Sequence, residues 1–203
     1  MLVVCLDLEG VLVPEIWIAV AARTGIEALR RTTRDEPDYD KLMRGRLEIL
    51  DREGIGISEI QRVIEALDPL EGARAFLDEL RRDFQVILLS DTFYPFAAPL
   101  MAKLGAPTLF CHDLEIEADG RIAGYRLRMP DQKRASVRAL RELAFPVVAA
   151  GDSYNDVSML AEANAGILFR PPPNVAAEFP DYPVARTHPA LRAAIEEAEA
   201  EIG

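Results

Sequence analysis

Three short, mostly apolar runs in this chain each stop at a cluster of polar side chains. Leu2–Leu6 stops at Asp7-Leu8-Glu9-Gly10, Gln85–Leu89 at Ser90-Asp91-Thr92, and Pro146–Ala150 at Gly151-Asp152-Ser153-Tyr154-Asn155-Asp156. Each run is rich in β-branched or small apolar residues and too short for a helix, as expected for strands buried on both faces. Periodic helical stretches follow the runs, at Gly72–Arg82, Pro95–Lys103, Gln132–Leu143 and Val157–Ala163. Strand alternating with helix specifies an α/β protein, a doubly wound and mostly parallel sheet. In such sheets ligands bind beyond the carboxyl ends of the strands, where these polar clusters fall.

The alternation is interrupted once. Glu15–Leu29, Tyr39–Asp51 and a run from Ser58 to Leu67 all carry helical apolar spacing, with a polar loop at 31–38, and no strand pattern intervenes. Residues 15–68 therefore read as a small helical cap inserted directly after the first strand, with 1–14 and 69–203 as the α/β core. Further strands are expected at Thr108–Cys111 and Gly166–Phe169. Leu114–Ile116 and Ile122–Leu127 flank Ala118-Asp119-Gly120 as a hairpin, a candidate contact edge for a homodimer. Pro171–Pro173 reads as a stiff loop and Leu191–Ile202 as a terminal helix.

The net charge of −11 over 203 residues argues against nucleic acid or an anionic membrane as partner. It also means that an anionic substrate needs a cation close by. Cys5 and Cys111 both sit in apolar runs, so no disulfide framework is expected and a reducing compartment fits. No apolar stretch approaches the ~20 residues that span a bilayer. A cytoplasmic protein is expected.

An aspartate at a strand tip can attack phosphorus and split a difficult hydrolysis into two transfers through an aspartyl-phosphate. Such chemistry asks for a hard divalent ion held by carboxylates, a fixed cation or hydroxyl for the phosphoryl oxygens, and a general acid–base. Asp7 is the candidate nucleophile, Asp152 and Asp156 the further carboxylates, Ser90 and Lys133 the phosphoryl holders, and Glu9 the acid–base. Each alone is an ordinary turn-forming or capping residue. Their order at three strand ends is what carries weight. Lys133 is one of only three lysines among 23 basic residues.

These motifs resemble those of the haloacid dehalogenase superfamily, in its phosphatase branch. With the insertion after the first motif and the Asn155-Asp156 ending, they are most similar to phosphoserine phosphatases, including those that also act as homoserine phosphotransferases. The resemblance covers residues 1 to about 170. It implies Asp7 as nucleophile and Mg²⁺ ligand, and Asp152 as a second ligand. It gives Glu9 a metal-binding main-chain carbonyl and an acid–base side chain, and lets Asp156 act through a water on the metal. Ser90 and Lys133 would hold the phosphoryl group, with Asp91 and Asn155 lining the substrate site. Glu15 and Arg46 fall where this family recognises the ammonium and carboxylate of O-phosphoserine. Homoserine is implied as a second acceptor.

The chain departs from the family in two places. Glu9 stands where aspartate is usual, and Asp91-Thr92 where glycines commonly follow the serine. Both bear on which acceptor is used. Two other readings stay open: a phosphatase for another small phosphometabolite, and a receiver-type signalling module whose phosphoaspartate is the output. Trp17 reads as cap packing. His112 and His188 have no partner at a spacing that suggests a metal site or a triad, and are given no role.

Overall fold

The computed structural model describes residues 1–32, 35–36 and 38–203. Thr33, Arg34 and Pro37 of the expected 31–38 loop lie outside the described residues. The strands are β1 (Val3–Leu6), β2 (Gln85–Phe93), β3 (Thr108–Ile116), β4 (Ile122–Arg126), β5 (Val147–Gly151), β6 (Ala165–Phe169) and β7 (Val184–Ala185). They form one seven-stranded sheet in the order β4-β3-β2-β1-β5-β6-β7, parallel throughout except for β4. The helices are α1 (Ile16–Thr24), α2 (Tyr39–Arg52), α3 (Ile57–Glu65), α4 (Ala73–Asp83), α5 (Tyr94–Lys103), α6 (Gln132–Glu142), α7 (Val157–Glu162), α8 (Pro173–Glu178) and α9 (His188–Ile202).

β1 is fully buried, and its side chains alternate between two apolar cores. Val4 and Leu6 join a cluster with residues of α1, α3, α4, α5 and α9, while Val3 and Cys5 face Val137 of α6, Met159 of α7 and Val175 of α8. Covering both faces makes the parallel strands read as continuous apolar runs. Strands β2 and β3 lie to one side of β1 and β5 to β7 to the other. The tip between β1 and β5 is therefore the topological switch point, a natural crevice for a ligand.

Helices α1 to α3 follow β1 as expected. The predicted helix over 15–29 is broken, however. Gly25 takes a left-handed conformation (φ +74°) and caps α1, and the chain resumes as a 3-10 turn at Glu27–Arg30. Trp17 meets Phe96 of α5 edge-on, and Leu70 N–H donates to Leu12 O at 2.9 Å, joining the two connections that lead into and out of the helical segment. Gly56 lies so close to the hairpin turn that an added Cβ would come within 2.8 Å of Gly120 O. The turn expected as a contact edge thus packs against the start of α3.

Ser90-Asp91-Thr92 is not a loop after β2 but a bulge within it. Leu89 is opposite Phe110 and Phe93 opposite His112, so three residues face the single residue Cys111. A bulge bends a strand and re-aims its side chains. β3 runs unbroken through His112 and Asp113 because β4 pairs with its second half. α8 and β7 were missed for being too short to show a period. α9 begins at His188, three residues before the expected start, where the Thr187 side chain accepts from Ala190 N–H. Cys5 and Cys111 are buried thiols. Among the described residues no helix is long and apolar enough to cross a membrane.

Candidate active site

Asp7 continues β1 into the switch-point crevice. Its N–H donates to Ala150 O at 2.9 Å, fixing it against β5, and the residue is 4% exposed. Asp7 Oδ1 accepts from Leu8 N–H at 2.7 Å and lies 2.9 Å from Lys133 Nζ. Lys133 reaches this place because α6 starts beneath it. Asp131 precedes the helix in a left-handed conformation (φ +45°), a strain of roughly 1–2 kcal/mol for a residue with a Cβ. Gln132 and Lys133 are consequently turned inward. Gln132 Nε2 donates to Ser90 O at 2.8 Å, and Lys133, 2% exposed, sits 2.7 Å from Asp156 Oδ1 and 3.6 Å from Asp91 Oδ2.

Asp156 is wholly buried, and its Oδ2 accepts from the N–H groups of Asp152 and Ser153 at 2.9 and 3.1 Å. This tuck requires glycine at 151, since a Cβ there would fall 2.3 Å from Asp156 Cγ. Gly10 plays the same part for Asp152: its φ is +76°, and an added Cβ would come within 2.5 Å of Asp152 Oδ2. One oxygen from each of Asp7, Asp152 and Asp156 lies within 4.8 Å of the others, and Asp152 Oδ1 is buried without a hydrogen-bond partner. Hard carboxylate oxygens, one of them unsatisfied, fit a small divalent cation.

Charge crowding shows in the acid strengths. Burial, then Asp156, push the Asp7 carboxyl well above its usual range despite Lys133. Asp152 is pushed up to about 7 by burial, Asp156 and Glu15. Lys133 is disfavoured by burial, but Asp156, Asp7 and Asp91 outweigh that and hold it protonated. Asp91 is raised by burial and then pulled well below the usual carboxylate range by Lys133, His112 and Asn155.

Glu9 stands at the mouth, where its Oε2 accepts from Ile16 N–H at 3.2 Å. Burial and the neighbouring Glu15 carboxylate push it up to about 8, so it carries a proton at neutral pH. Glu15 is exposed and lies within electrostatic reach of Glu9, Asp152 and Arg46. Arg46 is no surface arginine. It is buried on α2 with its guanidinium carbon 4.4 Å from the Trp17 ring centroid and Nη2 donating to Arg31 O at 2.7 Å. Its Nε is buried without a partner, and burial lowers its pKa to about 10.

The structure thus gathers Asp7, Asp91, Lys133, Asp152 and Asp156 in one knot, with Glu9, Glu15 and Arg46 towards the helical insertion. Ser90 is buried beside them, its Oγ accepting from Thr92 N–H at 3.3 Å. Asn155 is exposed and donates to Asp91 Oδ2 at 3.1 Å, at the rim rather than among the carboxylates. Three neighbours went unread in the sequence. Gln132 had one signal, adjacency to Lys133 at a helix start. Tyr39 donates from its hydroxyl to Asp91 O at 3.0 Å, and His112 Nε2 faces Asp91 Oδ1 at 3.6 Å. Neither had a local signal. Arg128 N–H donates to His112 Nδ1, so the proton of the neutral ring is on Nε2, facing Asp91.

A profile of haloacid dehalogenase-like hydrolases matches residues 1–164. The chain is 60% identical over 190 residues to phosphoserine phosphatase ThrH of Pseudomonas aeruginosa, covering 94% of this chain and 93% of that protein. It is 58% identical to a phosphoserine phosphatase of Pseudomonas syringae pv. tomato, covering 94% of this chain and 80% of the relative. A substrate-bound phosphoserine phosphatase structure superposes with a TM-score of 0.77 at 22% identity, over 96% of this chain and 97% of the other, a likeness of fold.

Proposed function

This chain belongs to the haloacid dehalogenase-like hydrolase family, and we propose that it is a Mg²⁺-dependent phosphoserine phosphatase that also passes the phosphoryl group to homoserine. The observation that carries this reading is the knot at the β1 tip: Lys133 Nζ is 2.9 Å from Asp7 and 2.7 Å from Asp156, beside the unsatisfied Oδ1 of Asp152. The names of the two Pseudomonas relatives support the substrate.

In this reading Asp7 attacks phosphorus; the bond from phosphorus to the serine oxygen breaks as the bond to Asp7 forms. Glu9 gives its proton to the departing oxygen, which its raised pKa allows at neutral pH. Glu9, now a carboxylate, then takes a proton from the acceptor hydroxyl as that oxygen attacks the aspartyl-phosphate. Water as acceptor releases inorganic phosphate, and homoserine gives phosphohomoserine. Lys133 and Ser90 hold the phosphoryl oxygens. Asp7, Asp152, Asp156 and the main-chain carbonyl of Glu9 would hold Mg²⁺, which offsets negative charge on the phosphoryl group. Residues 15–68 serve as a cap over the 1–14 and 69–203 core, with Arg46 gripping the substrate carboxylate, Glu15 its ammonium, and Asp91 and Asn155 completing the rim.

The test is Asp7→Asn with O-phosphoserine and Mg²⁺. Turnover is expected to vanish, and retained turnover removes the nucleophile. Adding homoserine to the parent enzyme should yield phosphohomoserine; its absence at saturating acceptor removes the transferase half alone.

A further inference from the structure

Substrate recognition in the proposed site is divided between two bodies. The phosphoryl group is held on the β2 bulge and α6, whereas the carboxylate is held by Arg46 on α2. A phosphoamino acid is short and rigid compared with a protein side chain, so the separation between these grips must be held to a fraction of an ångström for both to engage. Something has to fix α2 relative to the bulge.

Tyr39 is placed to do so. It is the first residue of α2, seven before Arg46; at 3.6 residues per turn both lie on one face, with Leu42 and Met43 between them on the same buried stripe. Its hydroxyl donates to Asp91 O at 3.0 Å, across 52 residues of sequence. The adjoining carbonyl, Ser90 O, is taken by Gln132. The first two carbonyls of the bulge are therefore occupied. The Tyr39 ring is itself wedged edge-on against Tyr125 of β4, at a centroid distance of 6.1 Å, and against His112 of β3 at 6.4 Å. The Tyr125 hydroxyl in turn donates to Asp40, the next residue of α2. Burial pushes the Tyr39 hydroxyl well above its ordinary pKa, so it stays a donor.

We propose that Tyr39 is a positioning residue for substrate selectivity: its hydrogen bond to the Asp91 carbonyl sets the distance between Arg46 and the phosphoryl-holding bulge. This rests on the assignment of Arg46 to the substrate carboxylate. Tyr39 touches neither the phosphoryl group nor the nucleophile, so its loss is felt only by substrates that use both grips.

The experiment compares Tyr39→Phe, Arg46→Ala and the double variant on O-phosphoserine and on 4-nitrophenyl phosphate, which has no carboxylate or ammonium. Tyr39→Phe keeps the ring and deletes only the donor. It should raise KM for O-phosphoserine about three- to tenfold, the range for one hydrogen bond, with kcat within about twofold and the aryl phosphate unchanged within about twofold. In the Arg46→Ala background the same change should add nothing further to KM. Parallel loss on both substrates makes the hydroxyl a general fold-stabilising group and overturns the proposal. So does an unchanged KM, or an effect that persists undiminished without Arg46. If Arg46→Ala shows no preference between the substrates, the substrate reading falls and takes this one with it. If Arg46→Ala is selective and Tyr39→Phe is silent, only the positioning role falls.

Discussion

Replacing Lys133 with methionine tests the charge arrangement at the heart of the site. Methionine approximates the length of the lysine stem, so the change is largely confined to the ammonium. That ammonium is buried between Asp156 at 2.7 Å and Asp7 at 2.9 Å, whose side chains are 0% and 5% exposed, with Asp91 at 3.6 Å. Removing one partner from a buried ionic group leaves uncompensated charge and costs about 3–5 kcal/mol. For a chain of this size each kcal/mol lowers Tm by roughly 2–4 °C, so the variant should melt on the order of 10 °C below the parent. Melts should be run in chelator, so that no divalent cation takes the place of the ammonium. Adding Asp156→Asn removes one of the stranded charges and should recover part of the loss, a non-additivity expected of groups in contact. A Lys133→Met protein within about 2 °C of the parent would refute the claim that this lysine neutralises the buried acids.

Other expectations follow from single contacts. Gly10→Ala introduces a Cβ 2.5 Å from Asp152 Oδ2 at a φ of +76°. The carboxylate can swing away, so stability should fall by only about 1–2 kcal/mol while the Mg²⁺ concentration needed for half-maximal turnover rises at least tenfold. An unchanged Mg²⁺ requirement removes Asp152 from the ligand set. Glu162 is held down at about 2 by Arg138 and Arg134. Its folded pKa lies below the unfolded value, so its stabilisation is present above about pH 4.5 and fades as pH falls towards 2. Glu162→Gln should therefore melt slightly below the parent at pH 7, and the gap should shrink at pH 3; a gap that widens in acid contradicts the pairing. Chelation should abolish O-phosphoserine turnover and added Mg²⁺ restore it, as followed by phosphate release.

What was legible in the sequence was whatever the backbone period and the strand tips encode. Leu2–Leu6 could only be a buried strand, and its end had to place Asp7 where Asp152 and Asp156 also arrive. The helical insertion was legible because three stretches with helical spacing occur with no alternating run among them. The single helix expected over 15–29 failed at Gly25, whose left-handed turn outweighed the apolar spacing on either side. Ser90-Asp91-Thr92 looks like the end of a strand because polar residues usually stop one, yet β3 keeps pairing beyond it and turns it into a bulge. Tyr39 and His112 were invisible for a different reason. Their partner, Asp91, lies 52 residues from one and on a neighbouring strand from the other, and nothing local distinguishes a tyrosine or histidine that meets it from one that merely packs.

The central place of β1 has a consequence for how this protein comes into being. Val3 pairs with Gln85 on one side and with Val147 on the other. During synthesis β1 leaves the ribosome ahead of both neighbours; the whole helical insertion is made before β2 can pair with one edge, and the other edge has no partner until β5, when most of the core has emerged. Loops this long close slowly, and an unpaired apolar strand is prone to association while it waits. Lys133, Asp152 and Asp156 also arrive late, so Asp7 is made early and left without its companions until β5 docks. Chains stalled before residue 147 should accordingly be aggregation-prone and inert, and the docking of β5 should coincide with the appearance of both the folded sheet and the first catalytic turnover.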